Sequence, residues 1–187
     1  MADADVREAV PSDAAEIARI QLTTWRTAFT ELLPADVLDG LDSAATEQEW
    51  RQALSDGPAA VLVAVEGSWI VGFCAAGPAP EAEVAAANGT LPADAATVAL
   101  VSALLVEPRW GRRGHGGRLL GAMVERLAAG GATRGITWVP EANTASMAFF
   151  RSAGWAPDGT VRTLDAGGRP LRELRLSGPM ELQFEER

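Results

Sequence analysis

The chain of 187 residues has no tyrosine, one cysteine and one histidine. It also has no lysine, so every basic side chain is an arginine. Each absence removes chemistry. A single cysteine, Cys74, permits no internal disulfide and no cysteine metal cluster. A single histidine, His115, removes most zinc sites and most serine–histidine triads. Without lysine there is no Schiff base and no Walker lysine. Without tyrosine there is no phenolic proton donor. No run approaches the roughly 18 apolar residues that span a bilayer. The first ten residues, MADADVREAV, lack the basic and apolar regions of a signal peptide. A net charge of −9 argues against nucleic acid and anionic membranes as partners. The expectation is a cytoplasmic protein with no metal, no nucleic acid and no membrane contact.

What is present points to one globular domain. Hydrophobic residues make up 48% of the chain, enough for a substantial core. Val6 to Val10 reads as a strand. A helix follows, with Asp13 and Glu16 spaced like a capping box, and Leu33-Pro34 breaks it. Short helical pieces continue to about residue 41 and from 46 to 54. Residues 60–65 and 69–75 read as two strands joined by Glu66-Gly67-Ser68. Residues 77–96 are rich in Ala, Pro and Glu without a clear period and read as a long surface loop.

Residues 97–106 form a nearly continuous apolar run, the pattern of a strand buried on both faces. The spacing of Leu120, Met123, Val124 and Leu127 predicts a helix over 114–129. Another strand spans 135–139. Asn143 then caps a helix that Gly154 terminates, and residues 155–164 and 171–176 form a last hairpin across 165–168. The order is mixed α/β with a largely antiparallel sheet.

The most informative stretch is LLVEPRWGRRGHGGRLL, Leu104 to Leu120. A strand ends at a proline, a turn with four glycines and four arginines follows, and a helix begins. Exposed N–H groups and the positive end of a helix dipole suit an anion at such a place. A basic cluster on an acidic chain points to a bound anionic ligand. A P-loop needs Gly-Lys-Ser/Thr, which this chain cannot supply. A dinucleotide fingerprint needs a third glycine where Leu119 stands.

The turn resembles the acetyl-CoA-binding motif of the GNAT superfamily of N-acetyltransferases, Gln/Arg-x-x-Gly-x-Gly/Ala, preceded by Val-x-Pro and followed by Leu-Leu. Val106, Pro108, Gly114, Gly116, Leu119 and Leu120 stand on those positions. Downstream, VPEANTASMAFFRSAGW resembles a second signature of the family, through Asn143, Ser146, Phe149, Gly154 and Trp155. Three positions depart from the pattern. Gly111 and Arg112 invert the family's Arg-Gly order. Phe150 replaces a tyrosine taken to protonate the leaving thiolate. Leu100 stands where some members have a glutamate base.

The resemblance covers about residues 4–178 as one domain, with 179–187 as a short tail. It implies a mixed, largely antiparallel central sheet flanked by helices, with a splayed central strand pair. It implies acetyl-CoA as acyl donor, held by Leu104, Leu105, Val106, Arg112, Arg113, Gly114, His115, Gly116, Gly117, Asn143 and Phe150. Trp25, Phe29 and Leu33 would line the acceptor side. Glu107, Ser102, Glu81 and Glu83 are candidate bases by position, beside an ordered water. The implied reaction is acetyl transfer to a small-molecule or peptide amine, the alternative being an acyl-CoA-binding module without transfer. Members of the superfamily often dimerise, so a homodimer is a further expectation.

Overall fold

The computed structural model describes residues 4–30 and 32–182. In chain order the elements are β1 (Ala4–Glu8), α1 (Ala14–Ala28), α2 (Ala35–Asp39), α3 (Ser43–Asp56), β2 (Ala60–Glu66), β3 (Trp69–Pro78), α4 (Glu81–Val84) and β4 (Val98–Val106). There follow α5 (His115–Ala129), β5 (Arg134–Pro140), α6 (Thr144–Ser152), β6 (Ala156–Ala166) and β7 (Arg169–Pro179). The seven strands form one sheet in the order β1-β2-β3-β4-β5-β7-β6. The β1/β2, β5/β7 and β6/β7 pairs are antiparallel and β4/β5 is parallel. The expected mixed, largely antiparallel architecture is therefore present. The chain divides into two compact units. One combines the chain up to Ala75 with Ala103–Met123, and the other combines Ala76–Ser102 with the chain from Val124.

In the first unit, Ile17 and Ile20 of α1 pack on Val61, Val63, Ile70 and Phe73 of β2 and β3. Each such side chain, fully buried, stabilises by about 1.5–3 kcal/mol. Trp50 of α3 stands edge-on to Phe73 with centroids 5.0 Å apart. Its indole N–H donates to Gln21 Oε1 at 2.6 Å and ties α3 to α1. Asp42 accepts from the N–H groups of Ala44 and Ala45, so α3 begins at Ser43 rather than near residue 46.

The start of α1 differs from the capping box expected at Asp13 and Glu16. Pro11 opens a 3-10 turn, Pro11–Asp13, before the helix. Asp13 Oδ2 reaches back to the Val10 N–H at 2.9 Å. Two bonds from the Arg7 guanidinium, at 2.7 and 3.0 Å, hold the Asp13 carboxyl below the usual carboxylate range. Glu16 pairs with Arg19 instead. β1 likewise ends at Glu8, two residues before the expected limit.

In the second unit, β5 runs beside β7 from Arg134↔Pro179 to Pro140↔Glu173. β7 pairs with β6 through a tight turn in which Gly167 and Gly168 have φ of 66° and 82°. Two consecutive positive φ values are those of a type I′ hairpin. Trp155 is fully buried and lies over two glycines that face each other in the register, Gly135 and Gly178. A Cβ would come within 2.0 Å of the indole at Gly178 and 2.3 Å at Gly135.

The expected long loop at 77–96 is more structured than its composition suggests. β3 continues to Pro78, and α4 and a 3-10 turn (Ala95–Thr97) follow. Arg175, buried on β7, donates from Nη1 to the carbonyls of Glu83, Val84 and Ala85 at 2.8–3.0 Å. These are carbonyls that the end of a short helix leaves unpaired. The clamp comes from a residue about 90 positions away, which a local reading cannot see.

Gly178→Ala is expected to lower stability by about 2–4 kcal/mol, because the methyl group overlaps a buried indole held between two strands. Denaturant unfolding followed by tryptophan fluorescence measures this. An unchanged midpoint would show that the indole can move aside freely.

Candidate functional site

The glycine turn lies wholly within the first unit. Gly114 has φ +81°, a conformation that costs other residues about 1–2 kcal/mol. The first bond of α5 runs from the Arg118 N–H to the Gly114 carbonyl at 3.1 Å. Gly114 is thus the capping residue, and it has no side chain to cap with. The N–H groups of His115, Gly116 and Gly117 precede that first bond and sit at the positive end of the helix. Glycines at 116 and 117 leave the approach to the first turn free of Cβ atoms. Leu119 and Leu120 are fully buried and fix the helix to the core.

The four arginines divide into two kinds. Arg109 pairs with Glu107 at 2.8 Å and Arg113 with Glu66 at 2.9 Å. Arg112 is exposed and no carboxylate among the described residues pairs with it. Arg118 donates to the neutral Arg113 carbonyl at 3.2 Å, and its guanidinium lies over Gly114. Two positive charges beside the open helix end therefore lack an acidic partner.

The inverted Gly111-Arg112 order has a visible consequence. Gly111 has φ −60° and ψ 157°, which any residue adopts. Arg112 has φ 62°, the left-handed conformation that favours glycine. The inversion places the glycine where it is not required.

Glu66 meets the glycine turn, although the sequence does not single it out. It ends β2, and its carboxylate accepts from Arg113 and pairs with His115 Nε2 at 2.7 Å. The two partners stand 47 and 49 residues away. His115 is 2% exposed, and its Nδ1 is buried with no partner among the described residues.

The remaining expected residues of this unit fall as follows. Leu104, Leu105 and Val106 end β4 half-buried. Gly72 admits the Leu105 backbone, since a Cβ there would stand 2.7 Å from the Leu105 carbonyl. Glu107 is buried and held by Arg19 at 3.1 Å as well as by Arg109. Trp25 and Phe29 are half-buried on α1 and just beyond it, edge to face with centroids 6.2 Å apart. The Leu33 N–H donates to the Phe29 carbonyl at 2.8 Å.

In the second unit, Asn143 caps α6, its Oδ1 accepting from the Ser146 N–H at 3.1 Å. The cap uses the amide oxygen and leaves the Nδ2 donor uncommitted to it. Phe150 is buried against Trp155, centroids 5.6 Å apart. The β4/β5 ladder covers only Val98–Leu100 with Arg134–Ile136, although both strands continue. The Thr137 hydroxyl donates to the Val101 carbonyl at 2.9 Å. Glu83 accepts from Arg162 at 3.0 Å and from the Trp138 indole N–H, while Glu81 is exposed. No group of three His, Cys, Asp or Glu among the described residues could hold a metal ion.

A family model described as acetyltransferase (GNAT) family matches residues 20–155. The uncharacterized N-acetyltransferase YuaI of Bacillus subtilis (strain 168) is 30% identical over 176 residues, 93% of this chain and 92% of that protein. The PaiA N-acetyltransferase of Thermoplasma acidophilum, solved in complex with coenzyme A, has a similar fold. Its TM-score is 0.69 at 14% identity, covering 95% of this chain and 99% of that one. The acetyltransferase YncA of Salmonella typhimurium, solved with its cofactor acetyl-CoA, gives 0.69 at 16% identity over 99% and 98%.

Arg112→Gly is expected to raise stability by about 0.5–1 kcal/mol, the relief of left-handed strain less the entropy glycine loses on folding. The shift in denaturant midpoint reads it directly. A fall would show that the Arg112 side chain holds the turn.

Proposed function

The chain belongs to the acetyltransferase (GNAT) family, and from that premise we propose that it transfers the acetyl group of acetyl-CoA to a small-molecule or peptide amine. One observation of this chain carries the reading. The N-terminus of α5 is left open by Gly114, lined by glycines at 116 and 117, and flanked by Arg112 and Arg118 without acidic partners. That arrangement suits a diphosphate: backbone donors for its oxygens, a helix dipole, and two free cations.

In this reading the N–H groups of residues 115–117 take the pyrophosphate, with Arg112 and Arg118 beside it. The backbone of Leu104, Leu105 and Val106 bonds the pantetheine arm, and a β4 N–H receives the acetyl oxygen as negative charge develops there. The second family signature offers Asn143, whose Nδ2 donor is not used by its cap. Trp25, Phe29 and Leu33 face the acceptor. The protein's contribution is chiefly to hold a neutral amine and a thioester in line. Phe150 has no proton to give, and a thiol of pKa about 8.5 leaves well enough for water to protonate it. Glu107 is tied to two arginines and serves as an anchor rather than a base.

Titration calorimetry with acetyl-CoA is expected to show a dissociation constant of about 10 µM or tighter, and Gly114→Ala to weaken it about tenfold through the strained φ. Absence of binding to well-folded protein would refute the reading. Thiol release from acetyl-CoA is expected to depend on added amine. Tight binding with no release across a broad amine panel favours the alternative that Phe150 motivates, an acyl-CoA-binding module.

A further inference from the structure

The turn has no capping side chain of its own at position 114. Gly114 cannot cap α5, and the residues on either side of it, Arg113 and His115, both end on one carboxylate. Arg113 Nη1 donates to Glu66 Oε1 at 2.9 Å, and His115 Nε2 lies 2.7 Å from Glu66 Oε2. Glu66 itself is fixed at the end of β2, where β1 pairs with it through Ala4. The carboxylate therefore grips the turn at two points with Gly114 between them.

The charges near His115 within its unit are few. Glu66 and Arg113 neutralise each other, Arg118 lies over Gly114, and Ala4 opposite Glu66 adds none. Neutral His115 leaves the turn with the unpaired charges of Arg112 and Arg118, and protonated His115 adds a third. His115 begins α5, so its ring is adjacent in sequence to the N–H groups that the anion would use. Its Nδ1 is buried with no partner among the described residues.

Resting on the acetyl-CoA reading above, we propose that Glu66 and His115 are positioning residues for the acyl donor. The Glu66 carboxylate orders the glycine turn from both sides of Gly114, and positive charge on His115 tightens the turn's hold on the anionic substrate. An anion favours the imidazolium, and by reciprocity the imidazolium favours the anion. Affinity for acetyl-CoA therefore rises as pH falls through the His115 titration. Removal of Glu66 frees the turn on both sides of Gly114 and so weakens its order.

The chain has one histidine, so a single imidazole resonance reports the group without assignment work. Its NMR titration is recorded on the full chain, with and without saturating acetyl-CoA, beside calorimetric affinities from about pH 5 to about pH 8. The bound protein is expected to titrate at higher pH than the free protein. After subtraction of the His115→Leu background, affinity is expected to improve about fivefold or more toward low pH. That background carries the ligand's own phosphate ionisation near pH 6. Glu66→Gln is expected to weaken acetyl-CoA binding, and Glu66→Asp to restore part of it.

An imidazole titration that ignores acetyl-CoA, with wild type and His115→Leu sharing one pH profile, overturns the proposal while leaving coenzyme binding intact. No binding at any pH overturns the coenzyme reading and this proposal together, a result distinct from binding that ignores pH. The wild-type titration decides the matter even where a variant fails to fold.

Discussion

A helix N-terminus that keeps its first N–H groups free cannot use an ordinary cap, and the rest of the glycine turn follows from that constraint. A serine or aspartate at position 114 would satisfy the first N–H groups and occupy the place of the anion. Glycine leaves them free, but it also removes the side chain that would hold the turn in shape. The ordering force therefore comes from outside the turn. Glu66 on β2 supplies it by gripping residues 113 and 115. Leu119 and Leu120 supply the rest by burying the next turn of the helix. The arginines divide: 109 and 113 pair with carboxylates that build the local structure, and 112 and 118 have no acidic partner among the described residues.

In the second unit, β4 and β5 pair in parallel over Val98–Leu100 and Arg134–Ile136, and the Thr137 hydroxyl donates to the Val101 carbonyl. Beyond β5 the chain turns into α6 through the Asn143 cap. Trp155 then locks α6 to the sheet by lying on the facing glycines 135 and 178. Phe150 belongs to this packing through its contact with Trp155. The position where a tyrosine hydroxyl is expected thus has a buried ring with a structural task.

Local patterns carried most of the fold. Glycine spacing marked the turn and the helix ends, the leucine stripe marked α5, and Asn143 announced its own cap. The misreadings have visible causes, some local and some distant. Residues 77–96 look like a loop because the groups that organise them, Arg175 and Arg162 on the last hairpin, are far away in sequence. Asp13 looked like half of a capping box with Glu16, but Arg7 and the Val10 N–H take its carboxylate. Glu66 had no signal at all, since a glutamate before Gly-Ser reads as turn polarity. Motifs record what the backbone must do, and they are silent about distant side chains that hold it there.

The central claim is that the open first turn of α5 is where the acyl donor's diphosphate is held. Amide hydrogen exchange of the wild-type protein, with and without saturating acetyl-CoA, tests it most directly. The N–H groups of residues 115–117, and those of Leu104 to Val106, should exchange markedly more slowly in the complex. Protection elsewhere in a protein that still binds acetyl-CoA, with residues 115–117 unchanged, would contradict it.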